Sequence, residues 1–337
     1  MGKILLTGGT GYIASHTAVA LIEAGYDVVA VDNLSNSEKS VIDRLEKLEG
    51  REIVFYEGDV RDRDLLRKIF DENDIDAVIH FAGLKAVGES VAKPLEYYDN
   101  NLNATISLLT VMEEKGISKL VFSSSATVYA DENGPQKKEG MRLGCTNPYG
   151  WTKFMGEQII RDAVAAHPSL RAINLRYFNP IGAHPSAVIG ENPKDIPNNL
   201  MPYIQQVACG IRDHLNVYGN DYDTVDGTGV RDYIHVCDLA DAHVAAMKYL
   251  EDHDGCTEVN IGTGRGTSVL EMVKAFEDAN GITVPYEIAP RRPGDVDSNY
   301  ANADLAAEIL GWKATRTVED MCRDAYRWQV ALEKGLE

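Results

Sequence analysis

The feature that most constrains this chain lies in its first 33 residues. An apolar run over 3–7 reads as a strand. It breaks into Thr7-Gly8-Gly9-Thr10-Gly11-Tyr12-Ile13-Ala14 and resumes as a helical pattern over 12–24. Gly8 and Gly11 let the backbone turn sharply and approach a pyrophosphate, while the following helix offers its free N–H groups to the charge. Ala14 takes the third position, where helix packs on strand and a small residue is needed. A second strand, 27–31, ends in Asp32-Asn33, about 20 residues beyond the turn, the spacing at which an acid meets the ribose hydroxyls of a dinucleotide. A carboxylate there accepts from a 2′-hydroxyl and repels a 2′-phosphate, which predicts NAD rather than NADP. A helix cap or a solvated turn acid is the bland alternative for Asp32.

The rest of the first half repeats the same alternation. Strands are expected at 53–56, 77–81, 120–123 and 171–175, with helices at 38–48, 62–72, 102–114 and 149–166. Strands alternating with helices imply a parallel sheet covered on both faces, and right-handed crossovers make it doubly wound. Beyond about residue 180 the texture changes. Pro180, Gly182, Pro185, Gly190, Pro193, Pro197 and Pro202 crowd one stretch, and 182–197 reads as a long functional loop. Helices are expected again at 239–249, 269–279 and 318–332, among short strands. The expected division is a dinucleotide-binding part, 1–180, and a smaller α/β substrate part, 181–337, with some later segments packing back on the first. The second part caps the carboxyl edge of the sheet, where ligands of such sheets bind.

A net charge of -19 argues against general binding to nucleic acid or anionic lipid. An anionic small substrate would need local arginines. The five cysteines, Cys145, Cys209, Cys237, Cys256 and Cys322, are odd in number and not at metal-ligand spacing. They read as reduced cytoplasmic thiols, with no metal site. No leader or membrane-spanning run is expected.

Reaction chemistry is most visible in Tyr149-Gly150-Trp151-Thr152-Lys153. On a helix, Tyr149 and Lys153 are i and i+4 and share a face. A free tyrosine titrates near ~10 and is a poor base at neutral pH. A nearby ammonium and the positive nicotinamide ring of oxidised NAD both stabilise the phenolate. Upstream, a strand ends in Ser123-Ser124-Ser125-Ala126-Thr127-Val128-Tyr129, and a hydroxyl at a strand's carboxyl end can hydrogen-bond a sugar oxygen. Two further strand ends fit a cofactor cleft: Asp59-Val60, and Phe81-Ala82-Gly83-Leu84-Lys85.

With these residues in view, the chain resembles the extended short-chain dehydrogenase/reductase superfamily, and within it the UDP-glucose 4-epimerases. The likeness spans essentially the whole chain. It is carried by His80-Phe81-Ala82-Gly83-Leu84-Lys85-Ala86-Val87-Gly88-Glu89-Ser90, Tyr97-Tyr98-Asp99-Asn100-Asn101, Arg176-Tyr177-Phe178-Asn179-Pro180, Asn198-Asn199-Leu200-Met201-Pro202-Tyr203 and Gly229-Val230-Arg231-Asp232-Tyr233-Ile234-His235-Val236. It implies a Rossmann-type fold and a redox isomerisation of UDP-galactose and UDP-glucose at C4, through a 4-keto sugar and NADH, with NAD tightly held and recycled.

Carried over to this sequence, the resemblance implies that Tyr149 takes the 4-hydroxyl proton. Lys153 holds the nicotinamide ribose and tunes Tyr149, and Ser125 bonds the sugar's O4. The NAD site would include Gly8, Gly11, Tyr12, Ile13, Asp32, Asn33, Leu34, Asn36, Ser37, Asp59, Val60, Phe81, Ala82, Gly83, Lys85, Asn100, Ser123, Tyr177 and Phe178. The UDP-sugar would be held by Asn179, Asn198, Asn199, Leu200, Tyr218, Arg231, Arg292, Asp295 and Asn299, with Lys85 beside them. Two arginines suit a diphosphate, and Asp295 suits ribose hydroxyls. On residue chemistry alone, Arg231 could instead pair with Asp232, and Arg291-Arg292 could be a solvated loop pair.

Ala14 and Ala130 depart from the family's usual glycines. Asn299 is small where an aromatic would restrict the sugar pocket, so N-acetylated UDP-sugars are expected as possible substrates. A 4,6-dehydratase would carry an Asp-Glu pair where Ala126 and Thr127 stand. A net ketoreductase would consume added cofactor. A catalytically silent NAD sensor commonly lacks the tyrosine or the lysine, and this chain keeps both. The resemblance also implies a homodimer, with 95–114 and 154–164 at the interface.

Overall fold

The computed structural model describes residues 2–194, 197, 199–292 and 295–335. The first half runs β1 (Lys3–Thr7), α1 (Tyr12–Glu23), β2 (Asp27–Asp32), α2 (Ser40–Glu49), β3 (Val54–Glu57), α3 (Arg63–Glu72), β4 (Ile75–His80), α4 (Val87–Ala92), α5 (Pro94–Lys115), β5 (Lys119–Ser125), β6 (Gln136–Lys137), α6 (Pro148–Ala166) and β7 (Arg171–Tyr177). The second runs β8 (Asn179–Ile181), α7 (Leu200–Ala208), β9 (Leu215–Tyr218), β10 (Val230–His235), α8 (Val236–Asp252), β11 (Cys256–Ile261), β12 (Gly266–Ser268), α9 (Val269–Asn280), β13 (Tyr286–Ala289), β14 (Ser298–Ala301), α10 (Asp304–Leu310) and α11 (Val318–Glu333).

Seven strands form one sheet in the order β11-β7-β5-β4-β1-β2-β3, and every pairing in it is parallel. The order reverses at β1, with β2 on one side and β4 on the other. That switch point opens a crevice above the carboxyl ends of the strands, where such sheets bind ligands. The strands are buried on both faces, which explains their continuous apolar runs. One face packs Ile4, Leu6, Val28, Ile79 and Ile173 against α1 and α8. The other packs Leu5, Val29, Val78 and Leu120 against Leu66, Leu108 and Ile160 of α3, α5 and α6.

Three late segments return to this sheet. β11 extends its edge beside β7, α8 lies against α1, and α10 packs on α8 and β11 with Ala306 in the same core. The remaining second-half elements build a separate core from α7, α9 and α11, around Met201, Ile204, Met272, Phe276 and Met321. Small sheets of β8, β10, β12, β14 and β6, and of β9 with β13, sit on it.

Helix α5 starts at Pro94, eight residues before the periodicity alone placed it. Proline is well tolerated in a helix's first turn, and the polar Tyr98-Asp99-Asn100 stretch masks the apolar stripe there. Similarly, β5 continues through the serines to Ser125, because β7 pairs with it as far as Ser125↔Tyr177. Within 182–197, Ala183 and Gly190 form an antiparallel bridge.

Candidate functional site

The glycine turn takes its shape from backbone bonds. Gly8 and Gly9 both donate to the Val31 carbonyl, at 2.8 and 3.1 Å, tying the turn to β2. Gly8 has φ +68, and a Cβ there would stand 2.9 Å from the Ala82 nitrogen. Glycine is therefore required by both conformation and space. Gly11 precedes α1 with no side-chain cap, so the helix presents uncapped N–H groups and the positive end of its dipole to the crevice. Ile13 packs on the core below, and the Tyr12 hydroxyl donates to the Gly182 carbonyl at 2.7 Å.

Asp32 ends β2, buried. Its carboxylate accepts from Thr10 N at 3.2 Å and Leu34 N at 2.8 Å, and Ser37 Oγ lies 3.3 Å away. It thus orders the loop carrying Asn33, Leu34, Asn36 and Ser37, in which Leu34 has φ +58. A left-handed leucine is strained, and such strain collects at ligand sites. Asn33 reaches Asp59 at 3.3 Å, and Arg61 binds both oxygens of Asp59 at 3.0 and 2.8 Å, holding that carboxyl below its usual range. Val60 turns inward and is buried.

At the end of β4, the segment Phe81-Ala82-Gly83-Leu84-Lys85 is fixed by a residue to which sequence patterns assign no role. Asn101 of α5 accepts from Leu84 N at 2.8 Å, donates to Leu84 O at 3.0 Å, and donates to Thr152 Oγ1 at 2.9 Å. Asn100 donates to the same amide oxygen at 3.0 Å. Beyond the loop, the Lys85 ammonium meets Glu191 at 3.0 Å, and Asn199 donates to the same oxygen at 3.1 Å. Glu191, 8% exposed, therefore bridges a cofactor-side residue and a sugar-side one. Its place in the proline-rich loop gave no periodic signal.

The groups expected to handle protons gather where β5 meets α6. Ser125 ends the strand, and its hydroxyl lies beside the Tyr149 phenol and accepts from Thr127 N at 3.2 Å. Lys153, one turn beyond Tyr149, is 6% exposed and donates to the Ser123 carbonyl at 2.6 Å. Its ammonium lies 5.9 Å from the Tyr149 ring centre. Burial pushes Tyr149 up to about 12, against the Ser125 hydrogen bond, and pushes Lys153 down to about 8. These residues alone do not lower the phenol toward neutrality. Oxidised nicotinamide, bound beside it, would add a positive charge that lowers the phenol. Tyr177 lines the same floor, bonding Ser123 and His243, the latter at 2.5 Å, and Phe178 is buried beside it.

A second cluster belongs to the later segments. Arg231 of β10 bonds Asp295 at 3.3 Å, and Arg292 bonds the other oxygen of Asp295 at 2.8 Å. The Arg292 guanidinium also lies 5.1 Å from the centre of the Tyr218 ring. Asp232 is not Arg231's partner; it is buried, accepting from Thr263, Gly264 and Ala301. Arg291 does turn away, to Asp221 at 2.7 Å. Asn179 is exposed on β8, and Asn199 with Leu200 begins α7. Asn299 pairs in register with Arg231, and its Oδ1 is buried without a partner among the described residues. Asn198 lies outside the described residues. Ala130 has φ -69, a conformation that demands no glycine.

Uncapped helix, close-packed glycines and an acid beside the first crossover fit a dinucleotide; a serine, tyrosine and lysine at the next strand end fit proton transfer on an alcohol. Together they define an NAD-binding α/β enzyme acting on a hydroxyl. Residues 4–262 match the model of the NAD dependent epimerase/dehydratase family. The chain is 55% identical over 332 residues to a UDP-glucose 4-epimerase of Bacillus subtilis, covering 98% of each chain. It superposes with TM-score 0.95 and 52% identity on the UDP-glucose 4-epimerase of Bifidobacterium longum solved with NAD+ and UDP, over 99% of both chains. A Stenotrophomonas maltophila UDP-glucose-4-epimerase, solved with NAD and formylated UDP-arabinopyranose, gives TM-score 0.96 at 48% identity, over 99% of this chain and 100% of that one. The chain belongs to the NAD dependent epimerase/dehydratase family and, within it, to the UDP-glucose 4-epimerases.

Proposed function

We propose that this chain interconverts UDP-galactose and UDP-glucose by reversible NAD-dependent epimerisation at C4, with 1–180 holding mainly NAD and 181–337 mainly the UDP-sugar. The observation that carries the site assignment is the Tyr149 phenol placed beside the Ser125 hydroxyl, with buried Lys153 one helical turn away. Tyr149 accepts the O4 proton, Ser125 orients O4, and Lys153 supplies the adjacent positive charge. NAD, held by the glycine turn and Asp32, would supply a reversible hydride acceptor at C4, and the sugar would pass through a 4-keto form. Gly8, Gly11 and the start of α1 receive the pyrophosphate, and Asp32 the adenosine ribose. Arg231 and Arg292 grip the diphosphate, with Asp295 on the uridine ribose. Much of the binding energy then sits in UDP, away from the reacting carbon, which retains the ligand while the sugar turns over.

Ala126 and Thr127 follow Ser125, and Thr127 donates to the Ser125 hydroxyl at 3.0 Å. Neither can serve as the acid and base of a dehydratase. The test is turnover of UDP-galactose by purified protein with no added cofactor. UDP-glucose formed under those conditions supports a retained, recycled NAD; no product even with NAD supplied defeats the site reading.

Substrate breadth rests on Asn299. Its unpartnered Oδ1 is a free acceptor that an acetamido N–H could use, and asparagine is smaller than the aromatic that would restrict the pocket. UDP-N-acetylglucosamine and UDP-N-acetylgalactosamine are therefore proposed as further substrates.

A homodimer is supported by Val87, Val91, Leu95, Ile106 and Met155, exposed apolar residues of α4, α5 and α6. Ile106 also lines a groove with Leu109, Ile159 and Ala163. Light scattering should give twice the chain mass, and Leu95→Glu should halve it. No described helix is long and apolar enough to cross a membrane. The five unpaired thiols fit a reducing cytoplasm.

A further inference from the structure

Three successive serines end β5, and three successive turns of α6 meet them. Tyr149, Lys153 and Glu157 are i, i+4 and i+8 and share one face. Tyr149 lies beside the Ser125 hydroxyl, Lys153 bonds the Ser123 carbonyl at 2.6 Å, and Glu157 accepts from the Ser124 hydroxyl at 2.5 Å. Glu157 is fully buried, a costly place for a carboxylate. Arg176 of β7 compensates, donating to Oε1 at 2.8 Å and to Oε2 at 2.6 Å. Its remaining N–H reaches Tyr129 at 3.0 Å, and Tyr129 donates to Asn260 at 2.7 Å. The network runs from the serines to the sheet edge at β11.

We propose that Glu157 is a positioning residue for the reaction: its buried carboxylate, one turn beyond Lys153 on the same face of α6, places a negative charge behind that side chain and, through Ser124, fixes the strand end that presents Ser123 and Ser125. The inference rests on Tyr149 and Lys153 being the reacting pair. Lys153 is surrounded by few other charges. His80 of β4 is neutral, pushed down to about 3 by burial and then by Lys153 itself. Phe122 and Ser123 of β5 face it without charge. Tyr97 of α5 and Tyr177 of β7 lie near Tyr149, both pushed up by burial. Cys145 and Cys256, near Glu157, are neutral thiols pushed up to about 12. Arg161 stands 4.0 Å from Glu157 Oε2 on the outer side of the helix, and Arg176 is bound to the carboxylate itself. Burial drives the Lys153 ammonium toward the neutral amine, and Glu157 is the group that opposes it.

The test follows the Lys153 amine directly, by nitrogen NMR titration of the labelled protein, alongside the pH profile of kcat. Glu157→Gln leaves Arg176 buried and unpaired, which can prevent folding. Glu157→Gln with Arg176→Met removes both charges and is measured in parallel. In whichever folds, the Lys153 titration is expected to fall by about half a unit or more. The alkaline limb of kcat should move down with it, while KM for UDP-galactose stays within about twofold. Ser124→Ala keeps the carboxylate, so it should lower kcat several-fold without moving the titration. A Lys153 titration that matches the parent in the charge-removed protein overturns the proposal, as does an equal shift in Ser124→Ala. Full turnover by Tyr149→Phe would instead sink the assignment of the reacting pair, and the Lys153 titration would be unaffected by that result.

Discussion

The two ends of the candidate site are built differently. At β5 and α6 the functional groups stand on regular elements and are almost wholly buried: Ser125 is 9% exposed, Lys153 6% and Glu157 0%. At the other end, the Arg292 side chain is 53% exposed and Tyr218 42%, on a loop and a strand terminus. Proton transfer needs short fixed distances and a dry setting, which packed secondary structure supplies. Holding a diphosphate needs charge on long arms, and Asp295 keeps two such arms together before any ligand arrives. Damage at the first end should therefore appear in kcat and damage at the second in KM.

The largest expected effect is at the buried end. Tyr149→Phe should lower kcat for UDP-galactose by about a thousandfold, the range for losing a general base, while calorimetric UDP affinity stays near the parent's. Affinity falling as far as kcat would erase the distinction between the ends.

Acid should strike the same side. His16, His80 and His243 lie on α1, β4 and α8, and burial pushes them down to about 3, 3 and 4. Their folded values lie below the ordinary histidine value, so the unfolded chain binds more protons between about pH 6.5 and 4. Stability must fall as pH drops through that window, by about 4 kcal/mol between pH 7.5 and 5.5 if all three remain neutral in the fold. Urea unfolding at the two pH values measures it. A flat response would mean that the sheet side is less dry than its packing implies.

At the exposed end, Arg292→Ala should raise KM for UDP-galactose about tenfold to a hundredfold and leave kcat within a few-fold, as expected for lost charge-assisted hydrogen bonds. Steady-state kinetics of Arg231→Ala give an independent check, and a pure kcat defect in both would show that the arginines act on chemistry. The smallest and most selective effect belongs to Asn299→Tyr. It should cut turnover of UDP-N-acetylgalactosamine about tenfold and change UDP-galactose little. Equal losses on both sugars would remove Asn299 as a discriminating residue.

Much of the fold was legible because its signals are local. Gly8-x-x-Gly11, the alternation of strands and helices, and the i, i+4 spacing of Tyr149 and Lys153 act within a few residues of chain. The later half was harder to divide. β11 and α8 return to the first sheet, and nothing local to residues 236–261 announces that they pair with β7 and pack on α1. The start of α5 was hidden by the polar face that carries Asn100 and Asn101.

By itself the sequence determined the parallel sheet, the NAD turn, the serine–tyrosine–lysine set and the arginines available for a diphosphate. Period and spacing encode the sheet, the turn and the Tyr149–Lys153 pair before any long-range contact forms, whereas Ser125 and the arginines gain their roles only through the family likeness. Only the tertiary structure decided who partners whom: Asp295 between Arg231 and Arg292, Glu191 between Lys85 and Asn199, Asn101 beneath the β4 loop, and Glu157 with Arg176 behind the serines. Each joins groups from distant parts of the chain. A buried charge has no fixed partner in sequence; its partner is whichever opposite group the packed sheet brings within hydrogen-bond distance.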